Sequence, residues 1–125
     1  MTPVAIAQSG LAAATLRLNV SASNLANVSD TSAVGSSGYD PSEARTSASP
    51  GGGVTATAVT VKPAQLIAYD PTSPIATAQG FIQMPDIDPI AEVTNQLQAG
   101  TAFAYSLAAL KVADEEQQAT LDMTA

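Results

Sequence analysis

The sequence predicts a mainly α protein in which long N- and C-terminal helices pack against each other and against neighbouring molecules, with a small β-rich and partly disordered segment between them. Three observations predict it. Apolar residues recur every seven positions at both ends, at Val4, Leu11, Leu18 and Leu25 and again at Ile90, Leu97 and Ala104. Aromatics make up 4% of the chain and Trp is absent, so 125 residues cannot build a thick, self-sufficient core. The stretch between the helical patterns is dominated by Ser, Gly, Thr and Ala, with one uncharged β-branched run.

Thr2-Pro3 starts the first helix, Thr as N-cap and Pro at the first helical position. Beside the Val4–Leu11–Leu18–Leu25 line runs a second line of mostly small residues, Ala7, Ala14, Ser21 and Val28. Small side chains at one of two seam positions permit close approach of a partner helix. Asn27 and the polar residues after it end the helix, giving an N-terminal assembly segment over residues 1–28.

Residues 29–53 carry almost no large apolar side chain and predict a flexible linker, because burial cannot offset their ordering entropy. Val54–Val61 reads as a strand, Leu66–Tyr69 as a second and Phe81–Met84 as a third. Together they make a β-rich insert over residues 54–87, with Asp70-Pro71-Thr72-Ser73-Pro74 as a turn. Asp88-Pro89 opens the C-terminal helix over residues 88–125. Its lines are Ile90–Leu97–Ala104 and Val93–Gly100–Leu107, widened by Phe103 and Leu110. A helix to about residue 122 spans on the order of 50 Å. Part of it is therefore expected to project from a domain this small.

Chemistry is hard to place on this chain. Without His or Cys there is no Ser-His-Asp triad, no Cys-His pair and no zinc site of the thiolate or imidazole type. Asp86, Asp88 and Glu92 form an acidic cluster without the loop length or Gly of a calcium site, and they read as acids favoured at a helix N-terminus. No catalytic, cofactor or metal residue is assigned. A formal charge of −7, with four scattered basic residues, argues against nucleic acid and anionic membranes. No apolar run is long enough to insert in a bilayer, and the apolar N-terminus lacks the basic region of a cleaved signal peptide. Asn24 and Asn27, spaced i, i+3, share one face at the end of the first helix. Their amides serve either as caps or as ties to a neighbouring chain.

Ser9-Gly10-Leu11, Arg17-Leu18-Asn19 and Ser23-Asn24-Leu25-Ala26-Asn27-Val28 resemble the N-terminal motif of bacterial flagellar rod, hook and filament-axis proteins. Tyr69-Asp70-Pro71, Gln79-Gly80-Phe81 and Met84-Pro85-Asp86-Ile87-Asp88, with Glu92, look like proximal-rod subunits of the FlgC type. Thr101 and Ser106 stand where that family usually carries Arg and Asn. The resemblance implies a structural rod subunit with no enzymatic activity, exported through the flagellar type III apparatus without a cleaved signal to the periplasmic rod of the basal body. It implies terminal helices paired as an antiparallel coiled coil, and homo- and hetero-oligomeric assembly with other rod proteins and basal-body components. The alternative is a diverged rod-like binding or regulatory protein that stays out of the rod. On the seam pattern and the resemblance, the expected assembly interface comprises Leu11, Leu18, Asn24, Leu25, Asn27, Ile90, Val93, Leu97, Phe103, Leu107 and Leu110.

Overall fold

The computed structural model describes residues 1–124. Helix α1 spans Pro3–Ala26, followed by strands β1 (Ser42–Ala48), β2 (Val54–Thr60), β3 (Gln65–Tyr69) and β4 (Phe81–Pro85), and by helix α2 (Pro89–Thr124). Two long terminal helices thus bracket two antiparallel hairpins, β1–β2 and β3–β4.

Both helix starts follow from their caps. The Thr2 hydroxyl accepts from the Ala5 N–H at 3.2 Å, and Pro3 occupies the first turn. The Asp88 carboxylate accepts from the N–H groups of Ile90 and Ala91, at 2.9 and 3.3 Å. Each cap satisfies donors that the first helical turn leaves unpaired.

The helices lie antiparallel. Residues 21 and 24 of α1 meet Glu92, Arg17 meets Gln98, and Gly10 meets Ser106. Since α1 has 24 residues and α2 has 36, α2 outruns its partner: about the last ten residues, roughly 15 Å of helix, extend past the start of α1.

The middle segment departs from expectation in one respect. Residues 42–48, expected to be flexible, form β1 and pair with β2 from Ser42↔Thr60 to Ala48↔Val54. The reason is tertiary, because the small side chains of β1 let the hairpin lie along α1. Its base is held at Asn24, and near its tip the Val54 N–H donates to the Ser9 hydroxyl at 3.0 Å. The second hairpin touches neither helix through its strands among the described residues. It is tied instead to the 31–36 segment, through paired backbone bonds between Ser32 and Gln83 and a Gly35 N–H bond to the Gln83 side chain.

The turn of that hairpin accounts for the Tyr-Asp-Pro and Gln-Gly-Phe motifs. Asp70 accepts from the N–H and the hydroxyl of Thr72, which hold its carboxyl below the usual carboxylate range. Gly80 has φ +81°, and a Cβ there would lie 2.8 Å from the Tyr69 ring. Glycine is thereby required both by backbone and by space. Tyr69 and Phe81 pack edge to face across the strands at 5.6 Å.

Candidate functional site

The seam between α1 and α2 is built from small residues. Ala7, Ala14 and Ser21 of α1 are buried at heptad spacing, as their line in the sequence predicts. On α2 the buried residues are Ala99 and Ala113, and Ser106, on the same heptad line, is half-buried. At Gly10 a Cβ would come within 2.6 Å of the Ser106 hydroxyl and 3.3 Å of its Cβ. The glycine of Ser9-Gly10-Leu11 therefore marks a close approach of the two helices, opposite Ser106.

The Ile90–Val93–Leu97 part of the predicted heptad lines of α2 does not face α1, and this is a correction; farther along, Ala104 and Leu107 lie beside Val4 and Gln8 at the start of α1. Leu97 is two residues from Ala99, which is about 200° around a helix, so the two side chains point in opposite directions. Ile90, Val93, Leu97 and Leu107 are 79, 45, 69 and 51% exposed. Phe103 and Leu110 flank the seam instead, at the edge of α1. The physical reason is that two stripes share a seven-residue period on α2. Hydrophobicity favours the branched one for burial, whereas close backbone approach requires the small one.

At the far end of the seam sits a polar clasp. Asn24 is 1% exposed, and its side chain makes four hydrogen bonds, all within the chain. Its Nδ2 donates to the Ser42 carbonyl and to Glu92 Oε1, each at 2.7 Å. Its Oδ1 accepts from the Ser42 N–H at 3.1 Å and the Tyr39 hydroxyl at 2.9 Å. A primary amide offers two donors and two acceptor positions, so nothing is left for a neighbouring chain. Nearby, the Ser21 hydroxyl donates to the Glu92 carbonyl at 2.7 Å. One side chain thus fixes the end of α1, the start of β1 and the start of α2 relative to one another. Glu92, read from sequence as one more acid at a helix N-terminus, is a partner in this clasp.

Asn27 caps the end of α1 within the subunit. Its Nδ2 donates to the Ser23 carbonyl at 2.7 Å, and its φ of −107° lies outside the left-handed region. Leu11, Leu18 and Leu25 are half-buried beside the seam. Among the described residues no helix is long and apolar enough to cross a membrane, and no group of three acidic residues could hold a metal ion.

No family model matches the chain. Its similarity to curated proteins is extensive. It is 32% identical over 124 residues to the flagellar basal-body rod protein FlgC of Salmonella typhimurium, covering 94% of this chain and 92% of that one. It is 31% identical to the protein of the same name from Escherichia coli O6:H1, with the same coverage. A third relative of that name, from Bacillus subtilis, is 27% identical over 84% of this chain and 85% of its own. Both sequence motifs lie within a similarity that spans almost the whole of each chain, and the chain belongs to the FlgC family of flagellar basal-body rod proteins, which are structural subunits and not enzymes.

Proposed function

We propose that the antiparallel helix pair is the assembly unit of a periplasmic rod subunit, packed as a short coiled coil in the wall of a torque-transmitting shaft. Residues 1–28 and 88–125 serve as the assembly helices, and the hairpin-bearing middle faces other components of the basal body. The observation that carries this reading is the apolar stripe Ile90, Val93 and Leu97, exposed on the face of α2 turned away from α1. A row of large apolar side chains held in water is the usual mark of a protein contact. Ile90, Val93, Leu97 and Leu107 contact neighbouring subunits in this reading. Leu11, Leu18, Leu25, Phe103 and Leu110 flank the seam, and Asn24 and Asn27 position the helices that carry the contact surface.

Other rod subunits are the natural partners, because an outward stripe joined to a different surface on the next molecule propagates into a tube. Passage through the flagellar export apparatus without a cleaved signal fits the packing of α1, since Ala7, Ala13 and Ala14 belong to the core and removing them would dismantle the helix pair. The test is a Leu97→Asp variant in a strain lacking the native gene. The purified protein is expected to keep its helicity while basal-body incorporation and motility are lost. A motile strain would sink the assignment of this stripe to assembly.

A further inference from the structure

Each hairpin is two strands wide, so every strand has an outer edge. In an antiparallel pair, alternate residues turn their backbone N–H and C=O groups to the partner strand and the others turn theirs outward. The Val61 N–H donates to the Pro41 carbonyl and the Ser49 N–H to the Gly53 carbonyl, which puts the odd-numbered residues of β2 on the β1 side. Val54, Ala56, Ala58 and Thr60 therefore face outward. The Val54 N–H is taken by the Ser9 hydroxyl, whereas the outward backbone groups of Ala56, Ala58 and Thr60 have no partner among the described residues. Exposed edges are usually protected by charge, Pro or a bulge. Strand β1 carries Glu43 and Arg45 and is closed at Ser42 by the Asn24 amide, but β2 is Val-Thr-Ala-Thr-Ala-Val-Thr, with none of these devices.

We propose that β2 pairs antiparallel with β2 of a second copy of this chain, joining the two hairpins into one four-stranded sheet across a twofold axis at Thr57. The strand's own sequence argues for this occupant, because it reads nearly the same in both directions from its centre. In that register Thr57 meets Thr57 of the copy, Ala56 meets Ala58, Thr55 meets Val59 and Val54 meets Thr60. Thr and Val are both β-branched and close in size, so every pair is matched, and such cross-strand pairs stabilise a sheet. The same register sets outward Ala56 against outward Ala58 on both sides of the axis, where their free N–H and C=O groups exchange hydrogen bonds. No charge lies on β2, so the contact places no like charges opposite each other even though each chain carries a formal charge of −7. A twofold pair uses the same patch on both molecules and closes on itself, so it cannot propagate into a tube. The pairing thus belongs to the folded subunit before assembly, where it covers an edge otherwise open to aggregation. It does not depend on the assembly role of the α2 stripe.

Sedimentation of the full chain over a range of concentrations tests this, with a reversible monomer–dimer equilibrium as the expected result. Thr57→Glu is the sharpest variant. Within the hairpin position 57 faces Arg45, which suits a glutamate, whereas across the twofold axis two glutamates would meet. The dissociation constant is expected to rise about tenfold or more while the thermal transition of the monomer is kept. A second variant reads the register directly. The chain has no cysteine, and opposed Cβ atoms in such a pair lie about 4.5–5.5 Å apart, near enough for a disulfide after a small adjustment. Under a mild oxidant Thr57→Cys should give a covalent dimer, whereas Thr46→Cys, on the outer edge of β1, should stay largely monomeric. A chain still monomeric at about 1 mM would overturn the proposal. So would a dimer that Thr57→Glu leaves intact, equal cross-linking of the two cysteine variants, or a dimer that Leu97→Asp dissolves, which would place the contact on α2.

Discussion

The two helices of this protein share a heptad period and differ in what they do with it. Helix α1 turns its small line, Ala7, Ala14 and Ser21, to α2, and an adjacent side to the first hairpin. Its remaining face is polar or small. Helix α2 turns its small line to α1 and leaves its large apolar line in water. One helix is thus mostly committed to its own chain, while the other spends its most hydrophobic face on nothing within it. Burial of a full-sized apolar side chain is worth about 1.5–3 kcal/mol, and Ile90 and Leu97 gain none of it within their own chain. Under the proposed assembly reading, the comparison separates residues that make the subunit from residues that join subunits.

A pair of identical charges puts this division to the hardest test. Ala14 is 2% exposed in the seam, and Ala14→Asp would bury an unpaired carboxylate at a cost of about 3 kcal/mol or more. The isolated protein should lose its cooperative thermal transition. Leu97→Asp should change the stability of the monomer by no more than about 0.5 kcal/mol, as for other exposed positions. Comparable losses of stability in both variants would erase the distinction between the helices.

The clasp gives the next largest effect. Asn24→Ala leaves the Ser42 backbone groups and the Glu92 carboxylate short of partners, and is expected to cost about 2–3 kcal/mol. That outweighs the gain in helix propensity from Ala, which is well under 1 kcal/mol. Chemical denaturation should report the loss in the monomer, before any assembly takes place. An unchanged midpoint would mean that water replaces the amide and that the helix angle is set by the alanine seam alone. Asn27→Gly should be much milder, because it removes one exposed bond to Ser23.

These expectations also mark how far the sequence could be read. Both helix starts were legible because capping is local: Thr2-Pro3 and Asp88-Pro89 carry their own signal. Strands β2, β3 and β4 were legible from β-branched and apolar runs bounded by Pro and Gly. Strand β1 was not, since Ser42–Ala48 has no apolar periodicity and is held by pairing with β2 and by its fit along α1. The outward turn of the Ile90–Leu97 line was illegible for a different reason. Periodicity identifies stripes, but which stripe is covered depends on how closely two backbones approach, and Gly10 opposite Ser106 decides that. The bonds of Asn24 to Ser42 and Glu92 join residues 18 and 68 positions apart, and no local pattern encodes such a meeting.

The smallest predicted effect is the most discriminating, because one substitution should take opposite signs in the two helices. Gly10→Ala gains about 1 kcal/mol of helix propensity but places a methyl group 3.3 Å from the Ser106 Cβ, where neither backbone can yield without opening the seam. We expect a net loss of about 1 kcal/mol. Gly100 lies on the outward face of α2, and a Cβ there meets nothing within 4 Å. Gly100→Ala should therefore stabilise the monomer by about 0.5–1 kcal/mol, through propensity alone. Under the proposed assembly reading, Gly100 leaves room for the backbone of a neighbouring subunit. The same variant that melts at a higher temperature should then enter basal bodies less efficiently. Higher stability together with normal incorporation would move the neighbour contact away from Gly100, towards Ile90 and Leu97 on the far side of the stripe.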